Sequence, residues 1–295
     1  MEYFIMETLI LQLINGLSTG SIYALIAAGL ALYFGVVGIV NFSHGEFYMI
    51  GGYALYVLLI LLKLPYWSAT ILTILFMAIF GIVFEYLIIR PILDRPWWVW
   101  LVATLGVQVI LTNFAILVFS TFPKTTPTPY TSRIIQVGII RVSEQRIFVL
   151  VFGLLIFLLL DLFIQKTKMG KMMRAVSQNR ELCPVVGIDV QRVALITFGI
   201  GSALTGIAAT LSVPLLNVSP TMGVFYISKA FPAIIMGGIG RVKGAIVAGY
   251  LLGIFEALIS QYVTSLYVHV FAFALMLLVL LFRPSGLLSK GGVGI

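Results

Sequence analysis

The run Asn41-Phe42-Ser43-His44-Gly45-Glu46 places four polar or ionisable side chains within six residues, between two apolar stretches and with no basic residue beside it. Backbone that leaves a helix at membrane depth must line a cavity or be covered by protein. Asn, Ser, His and Glu would then supply hydrogen bonds to something polar passing by. A glutamate inside a bilayer costs roughly 2.5–3.5 kcal/mol on insertion scales, so it usually has a partner or a role. A plainer reading stands beside this one: a short cytoplasmic turn, with Asn41 and Gly45 as caps and Glu46 in the first turn of the next helix. A second run, Asn217-Val218-Ser219-Pro220-Thr221-Met222-Gly223, follows Pro214 and precedes a short apolar stretch. It reads either as a half-helix start whose backbone N–H groups attract a carboxylate or as an ordinary external loop. With Asn15 and Ser18 in the first apolar run, the candidate pathway residues are Asn15, Ser18, Asn41, Ser43, His44, Glu46, Asn217 and Ser219.

The rest of the chain must hold these groups in a membrane. Of 295 residues, 61% are hydrophobic and 9% charged, and the mean hydropathy is +1.14. A soluble domain is about half apolar and about a quarter charged, so a soluble enzyme, a disordered chain and a nucleic-acid binder are excluded. The expected fold is an all-α polytopic membrane protein, a single domain over residues 1–295. Spans are expected at Thr8–Val40, Phe47–Leu62, Trp67–Ile89, Trp97–Phe122, Ile147–Ile164, Val193–Val213, Ala245–Ile259 and Val263–Phe282, with a shorter apolar piece at Tyr226–Ile239. That gives about eight transmembrane helices, up to ten, with interrupted or re-entrant segments. Thr8–Val40 is long enough for one tilted span plus a short extra segment.

Eighteen Lys and Arg stand against ten Asp and Glu, for a net charge of +8. In a membrane protein this excess marks cytoplasmic loops. Segment 166–192, with Lys166, Lys168, Lys171, Arg174, Arg180 and Arg192, is therefore placed inside, with Arg90, Arg95, Arg283 and Lys290 on the same side. Segment 123–146 falls outside as an extended loop despite its four basic residues, and the N-terminus is external. Residues 1–8 carry Glu2 and Glu7 but no Lys or Arg, so no cleavable leader is expected. The one cysteine, Cys183, excludes an intrachain disulfide.

Gly16-x-x-x-Gly20, Gly240-x-x-x-Gly244 and Gly249-x-x-x-Gly253 are small-residue faces that let helices approach closely. Gly20-Ser21 and Asn41-Phe42-Ser43 are echoed by Gly201-Ser202 and Asn217-Val218-Ser219, the pattern of an internal repeat. Lys229 and Glu256 are expected to pair across helices, Asp161 to lie by Lys166, and Glu85 to reach the interface near Arg90. In the basic loop an amphipathic helix over Lys171–Val186 would offer Arg174, Asn179 and Arg180 to a soluble partner. No catalytic set, metal cluster or phosphate-binding loop is visible; Gly237 to Gly244 lacks the required order.

The motifs resemble the LivH-type permeases, the membrane subunits of branched-chain amino acid ABC importers. The resemblance rests on Asn15 to Leu25, Val40 to Phe47, Arg174-Ala175 through Gly187-Ile188, Lys229-Ala230-Phe231, Gly237 to Gly240, Gly244-Ala245, Gly253, Glu256-Ala257 and Arg283-Pro284-Ser285-Gly286. It implies import of branched-chain or other hydrophobic amino acids across a bacterial or archaeal cytoplasmic membrane. It further implies a second homologous, LivM-like permease chain, two cytoplasmic ATPases and an external substrate-binding protein. This chain would bind no cofactor, ATP being used by the partners. The resemblance carries the ATPase-coupling role to Gly170, Arg174, Asn179, Arg180, Glu181, Gly187 and Ile188, and a pathway role to Asn41, Ser43, His44 and Glu46. Cys183-Pro184 departs from the small helix-formers expected there, so the coupling helix is expected to start or split at Pro184. Two other readings remain at this stage. Similar permeases import urea and short amides. A self-sufficient secondary transporter or channel would instead use Glu46, Glu85, Lys229 or Glu256 for ions. An intramembrane enzyme would need more than His44 with Glu46.

Overall fold

The computed structural model describes residues 2–137 and 140–288, so Lys290 lies outside the described residues. The chain is helical almost throughout. Its helices are α1 (Glu2–Leu32), α2 (His44–Tyr56), α3 (Tyr66–Phe84), α4 (Trp97–Phe119), the short α5 (Pro129–Ser132), α6 (Glu144–Lys166), α7 (Lys168–Gln178), α8 (Val190–Ser212), α9 (Met222–Gly237), α10 (Val242–Tyr262) and α11 (Val268–Phe282). Seven helical segments are long and apolar enough to cross a membrane, while α9 and α11 are shorter apolar helices. The chain is thus an all-α, multi-pass membrane protein.

The first span differs from the expected break into two pieces. Met6–Val37 is one continuous 32-residue element, closing in a π-helical turn. At 1.5 Å per residue it is about 48 Å long, more than the roughly 30 Å of hydrocarbon. Gly38, at φ +81°, ends it by donating to the carbonyls of Tyr33 and Phe34.

Glycines set the packing of α1 on α10. A Cβ added at Gly16 would lie 2.7 Å from the Ile254 Cα, and one at Gly20 would lie 2.9 Å from the Tyr250 Cα. Gly249 faces Ala24 and Gly253 faces Gly20 in return. Two of the three small-residue faces read from the sequence therefore interlock with each other. The third does not form a face: Gly240 lies in the turn before α10, at φ +79° and against Gly35, while Gly244 packs on Gly237 across that turn.

At one end of the bundle, Arg90 binds Gln191, Arg180 lies 3.6 Å from Asp94, and Arg241 donates to the Leu288 carbonyl. At the other end, Gln12 meets Gln261 and the loop after α4 is tied down by a two-stranded antiparallel ribbon. That ribbon joins β1 (Lys124–Thr125) to β4 (Asn217–Val218). A second ribbon pairs β2 (Ile134–Val137) with β3 (Ile140–Ser143), so the expected extended loop contains one short ribbon of its own and one strand of another. Between α1 and α2 the chain passes through a π-helical turn, and between α8 and α9 through a 3₁₀ turn and strand β4.

Candidate functional site

Residues 38–43 leave the helix; Gly38 at its end is exposed, but the polar side chains that follow are covered by protein. Ile39, Asn41, Ser43 and His44 are fully buried, and Glu46 is 1% exposed. A solvated turn is not what the chain builds here. The Asn41 carboxamide oxygen accepts from the Ser43 backbone N–H at 3.1 Å and from its hydroxyl at 2.7 Å, which holds the turn that launches α2. His44 Nε2 donates to the Ile26 carbonyl at 2.9 Å, partway along α1. The ring stacks edge-on against Tyr33, so α2 begins in the protein interior rather than at a boundary.

The two polar runs meet in space. Gly45 packs directly on the Gly223 carbonyl, and the Glu46 carboxyl lies against Gly223 at the start of α9. Phe42 on Phe231 and Tyr48 on Tyr226 continue the contact, at ring separations of 4.9 and 4.2 Å. The N-terminus of α9, read from the sequence as an anion site, thus has a carboxyl of its own chain beside it. No cation pairs with the Glu46 carboxyl among the described residues. The Thr112 hydroxyl of α4 faces the same carboxyl.

The other pathway candidates fall elsewhere. Asn15 accepts from Arg146 of α6, eleven residues and about 16 Å along α1 from Ile26. Ser18 is buried about one turn nearer. Asn217 is exposed in the outer ribbon opposite Thr125, and Ser219 is half-buried, its carbonyl accepting from Met222 N–H at 3.2 Å.

A second polar group lies behind the first. Lys229 of α9 and Glu256 of α10 form the expected ion pair, both buried, and the Tyr23 hydroxyl donates to the second Glu256 oxygen at 2.8 Å. Tyr48 shares a 2.6 Å hydrogen bond with Ser212. The sequence reading missed the tyrosines, because a tyrosine in an apolar helix looks like core until a polar partner is seen. Two other expectations are corrected. Glu85, expected near Arg90, does lie within reach of Arg90 and Arg180, but it is fully buried, because α3 turns into a π-helical segment that packs it under α8. Asp161 pairs with Lys243 at 3.0 Å instead of neighbouring Lys166, because α10 starts beside the end of α6.

Segment 166–192 also differs from expectation. Its helix is α7, Lys168–Gln178, capped by the Thr167 hydroxyl on Gly170 N–H at 3.0 Å. It ends before Cys183-Pro184, because the Asn179 side chain accepts from the backbone N–H of Glu181 and Leu182 and turns the chain. Pro184 then sits in the first turn of a 3₁₀ segment, Cys183–Val186, where its missing N–H costs nothing. Gly187 at φ +78° and the Ile188 N–H bond to the Cys183 carbonyl close it. Gly170 abuts the Ile164 carbonyl, which Arg174 also binds, so α7 is fastened to the end of α6. Glu181 is exposed, as are Leu182, Val185 and Val186 at 61%, 82% and 73%.

Taken together, the spanning helices, the buried polar turn between them and the amphipathic segment at one end define a multi-pass membrane protein with a polar interior. The chain belongs to the family described as the branched-chain amino acid transport system, permease component, whose model matches residues 12–280. It is 33% identical over 292 residues to the high-affinity branched-chain amino acid transport system permease protein BraD of Pseudomonas aeruginosa, covering 95% of each chain. The LivH protein of Escherichia coli K12 is 31% identical, again over 95% of each chain. The LivM protein of the same organism is 25% identical over 90% of this chain and 68% of its own length. Among solved structures, PsaBC from Streptococcus pneumoniae in complex with Fab is similar in fold, with a TM-score of 0.50 at 12% identity, covering 92% of this chain and 91% of that one.

Proposed function

We propose that this chain is the permease subunit of an ATP-driven importer of branched-chain and other hydrophobic amino acids in a bacterial or archaeal cytoplasmic membrane. The observation that carries the reading is the family match over 12–280, joined to a buried polar turn where Asn41, Ser43, His44 and Glu46 meet the start of α9. The similarity to both LivH and LivM proteins supports a pair of homologous permease chains around the pathway. Two ATPases dock on the far side of α7 and the 3₁₀ turn, and they alone hydrolyse ATP. An external binding protein delivers the solute to the opposite end, near the β1–β4 ribbon. Orientation follows from the basic residues: the α7 end is cytoplasmic.

The mechanism needs two arrangements of the same helices. ATP binding draws the partner ATPases together. α7, fastened to α6 through Gly170 and Arg174, transmits that movement to the bundle. The α2 and α9 starts, touching at Gly45 and Gly223, are the constriction whose opening admits the solute.

The test is uptake of radiolabelled leucine, isoleucine and valine in cells lacking their own branched-chain importers, with this chain's neighbouring transport genes co-expressed. ATP-dependent uptake lost on deleting this chain supports the reading. Uptake competed by urea and short amides but not by leucine overturns the substrate. Transport by the purified chain alone in liposomes without ATP overturns the importer.

A further inference from the structure

Resting on the import reading, we infer that the permease itself holds a recognition site for the zwitterion of an apolar amino acid, with Glu46 taking the ammonium group and a cavity between α2, α3 and α4 taking the side chain. The cavity is a groove of about 570 Å³, open on the side where Leu72, Phe76 and Phe114 are exposed, and of a size that accepts a small organic molecule. Its α2 wall is Met49, Ile50, Tyr53 and Val57, and Leu111 and Ala115 belong to its α4 wall. These α2 positions continue the helical stripe that begins at Glu46, because residues three, four and seven apart share a face. On α4, Thr112 sits on the stripe of Ala115 and Phe119. Just beyond this apolar lining, one helical turn from Met49 on α2 and from Ala115 on α4, Thr112 faces the Glu46 carboxyl.

Two observations point to a ligand rather than to packing. Glu46 is 1% exposed, with the Thr112 hydroxyl beside its carboxylate and no cationic partner among the described residues. A buried carboxylate with only a hydroxyl beside it still demands a counter-charge. The start of α9 at Gly223 offsets part of the charge but gives it no hydrogen bond. Lys229, the buried cation nearby in sequence on α9, is already engaged by Glu256. Within the apolar cavity, the Tyr53 hydroxyl is also buried and without a partner. An α-ammonium group on Glu46 would satisfy the first, and a ligand oxygen or water on Tyr53 the second, while an aliphatic side chain fills apolar walls. A lipid acyl chain would fit the walls but leave Glu46 unanswered.

The probe is a diazirine-bearing leucine analogue, photolysed on the complete transporter purified in lipid nanodiscs, with adducts mapped by mass spectrometry. Adducts are expected on the peptides holding Met49–Tyr53 and Leu111–Ala115. Excess L-leucine should suppress them about tenfold or more, and 4-methylpentanoate, which lacks the ammonium, should not, because the charge-assisted contact is missing. Glu46→Gln should abolish the labelling. Ala115→Trp should lower the leucine-to-alanine uptake ratio by about fivefold or more, since filling a pocket discriminates by side-chain size. If Glu46→Gln fails to accumulate, the wild-type competition and Ala115→Trp still decide. Suppression by 4-methylpentanoate equal to that by leucine, adducts confined to other helices, or an unchanged uptake ratio in Ala115→Trp overturns the site while leucine uptake leaves the import reading standing. No uptake of any apolar amino acid by the wild type overturns both.

Discussion

Gly45 of α2 and Gly223 of α9 touch backbone to backbone: a Cβ on Gly45 would overlap the Gly223 carbonyl, whereas one on Gly223 would meet the end of the Glu46 side chain at 2.5 Å. The two contacts are not equivalent. A backbone carbonyl at a helix crossing cannot yield without moving the helix, while a carboxylate can rotate. Gly45→Ala is therefore expected to lower stability by about 1–3 kcal/mol, the usual cost of overpacking, and to abolish uptake. Gly223→Ala should cost less and mainly reduce the rate of uptake. Thermal unfolding of each variant in detergent, followed by size-exclusion chromatography, orders the two; equal losses would refute the asymmetry.

Lys229 and Glu256 lie buried together with Tyr23 as a third partner. Removing one charge leaves the other uncompensated in an apolar interior, which costs roughly 3–5 kcal/mol, whereas replacing both by apolar residues is often close to neutral. Lys229→Met and Glu256→Leu should each accumulate poorly in membranes, and the double variant should recover most of the lost stability. A double variant as unstable as the worse single one would show that the pair's geometry, and not its charge balance, holds α9 against α10.

The α1–α10 seam gives a third expectation. A Cβ at Gly16 would fall 2.7 Å from the Ile254 Cα, and Gly253 sits against Gly20. With no water to drive helices together in lipid, close packing supplies the association. Gly253→Val should separate the helices and lower the melting temperature by several degrees, and it should do so more than Gly106→Val, since Gly106 has open space around its Cβ position. Comparable melts for the two would mean that the seam is not held by its glycines.

Much of this was legible in the sequence for identifiable reasons. Span positions follow from length and hydropathy, and the Gly16, Gly20, Gly249 and Gly253 faces follow from helical spacing. The Lys229–Glu256 pair was legible because two lone charges in apolar helices must find each other. What the sequence did not carry is registry between distant elements. Gly240-x-x-x-Gly244 has the same spacing as the true seams, yet Gly240 lies outside a helix. Asn217 looks like the twin of Asn41, but pairing of β4 with β1 draws it to the surface while Asn41 is fully buried. That Glu85 would be wholly covered by α8 was not legible either. The end of α7 depended on one side chain, Asn179, accepting two backbone N–H groups; Pro184, the more visible breaker, is not what stops it.

The exposed apolar trio after that stop separates docking from folding. Leu182, Val185 and Val186 are 61%, 82% and 73% exposed beside Glu181, while Met173 and Val176 of α7 are buried against the bundle. A substitution at an exposed position changes stability by about 0.5 kcal/mol or less. With the proposed ATPases docked there, Val185→Asp should melt like the wild type and yet fail to co-purify with them and fail to support uptake, because a charge placed in the apolar part of an interface is left unpaired. Met173→Asp should fail differently, by losing the folded protein itself, since it puts a carboxylate under α7. Co-purification measured alongside melting temperature distinguishes the two. Val185→Asp that retains its ATPases and full uptake would move the docking surface away from the 3₁₀ turn, to the outer face of α7.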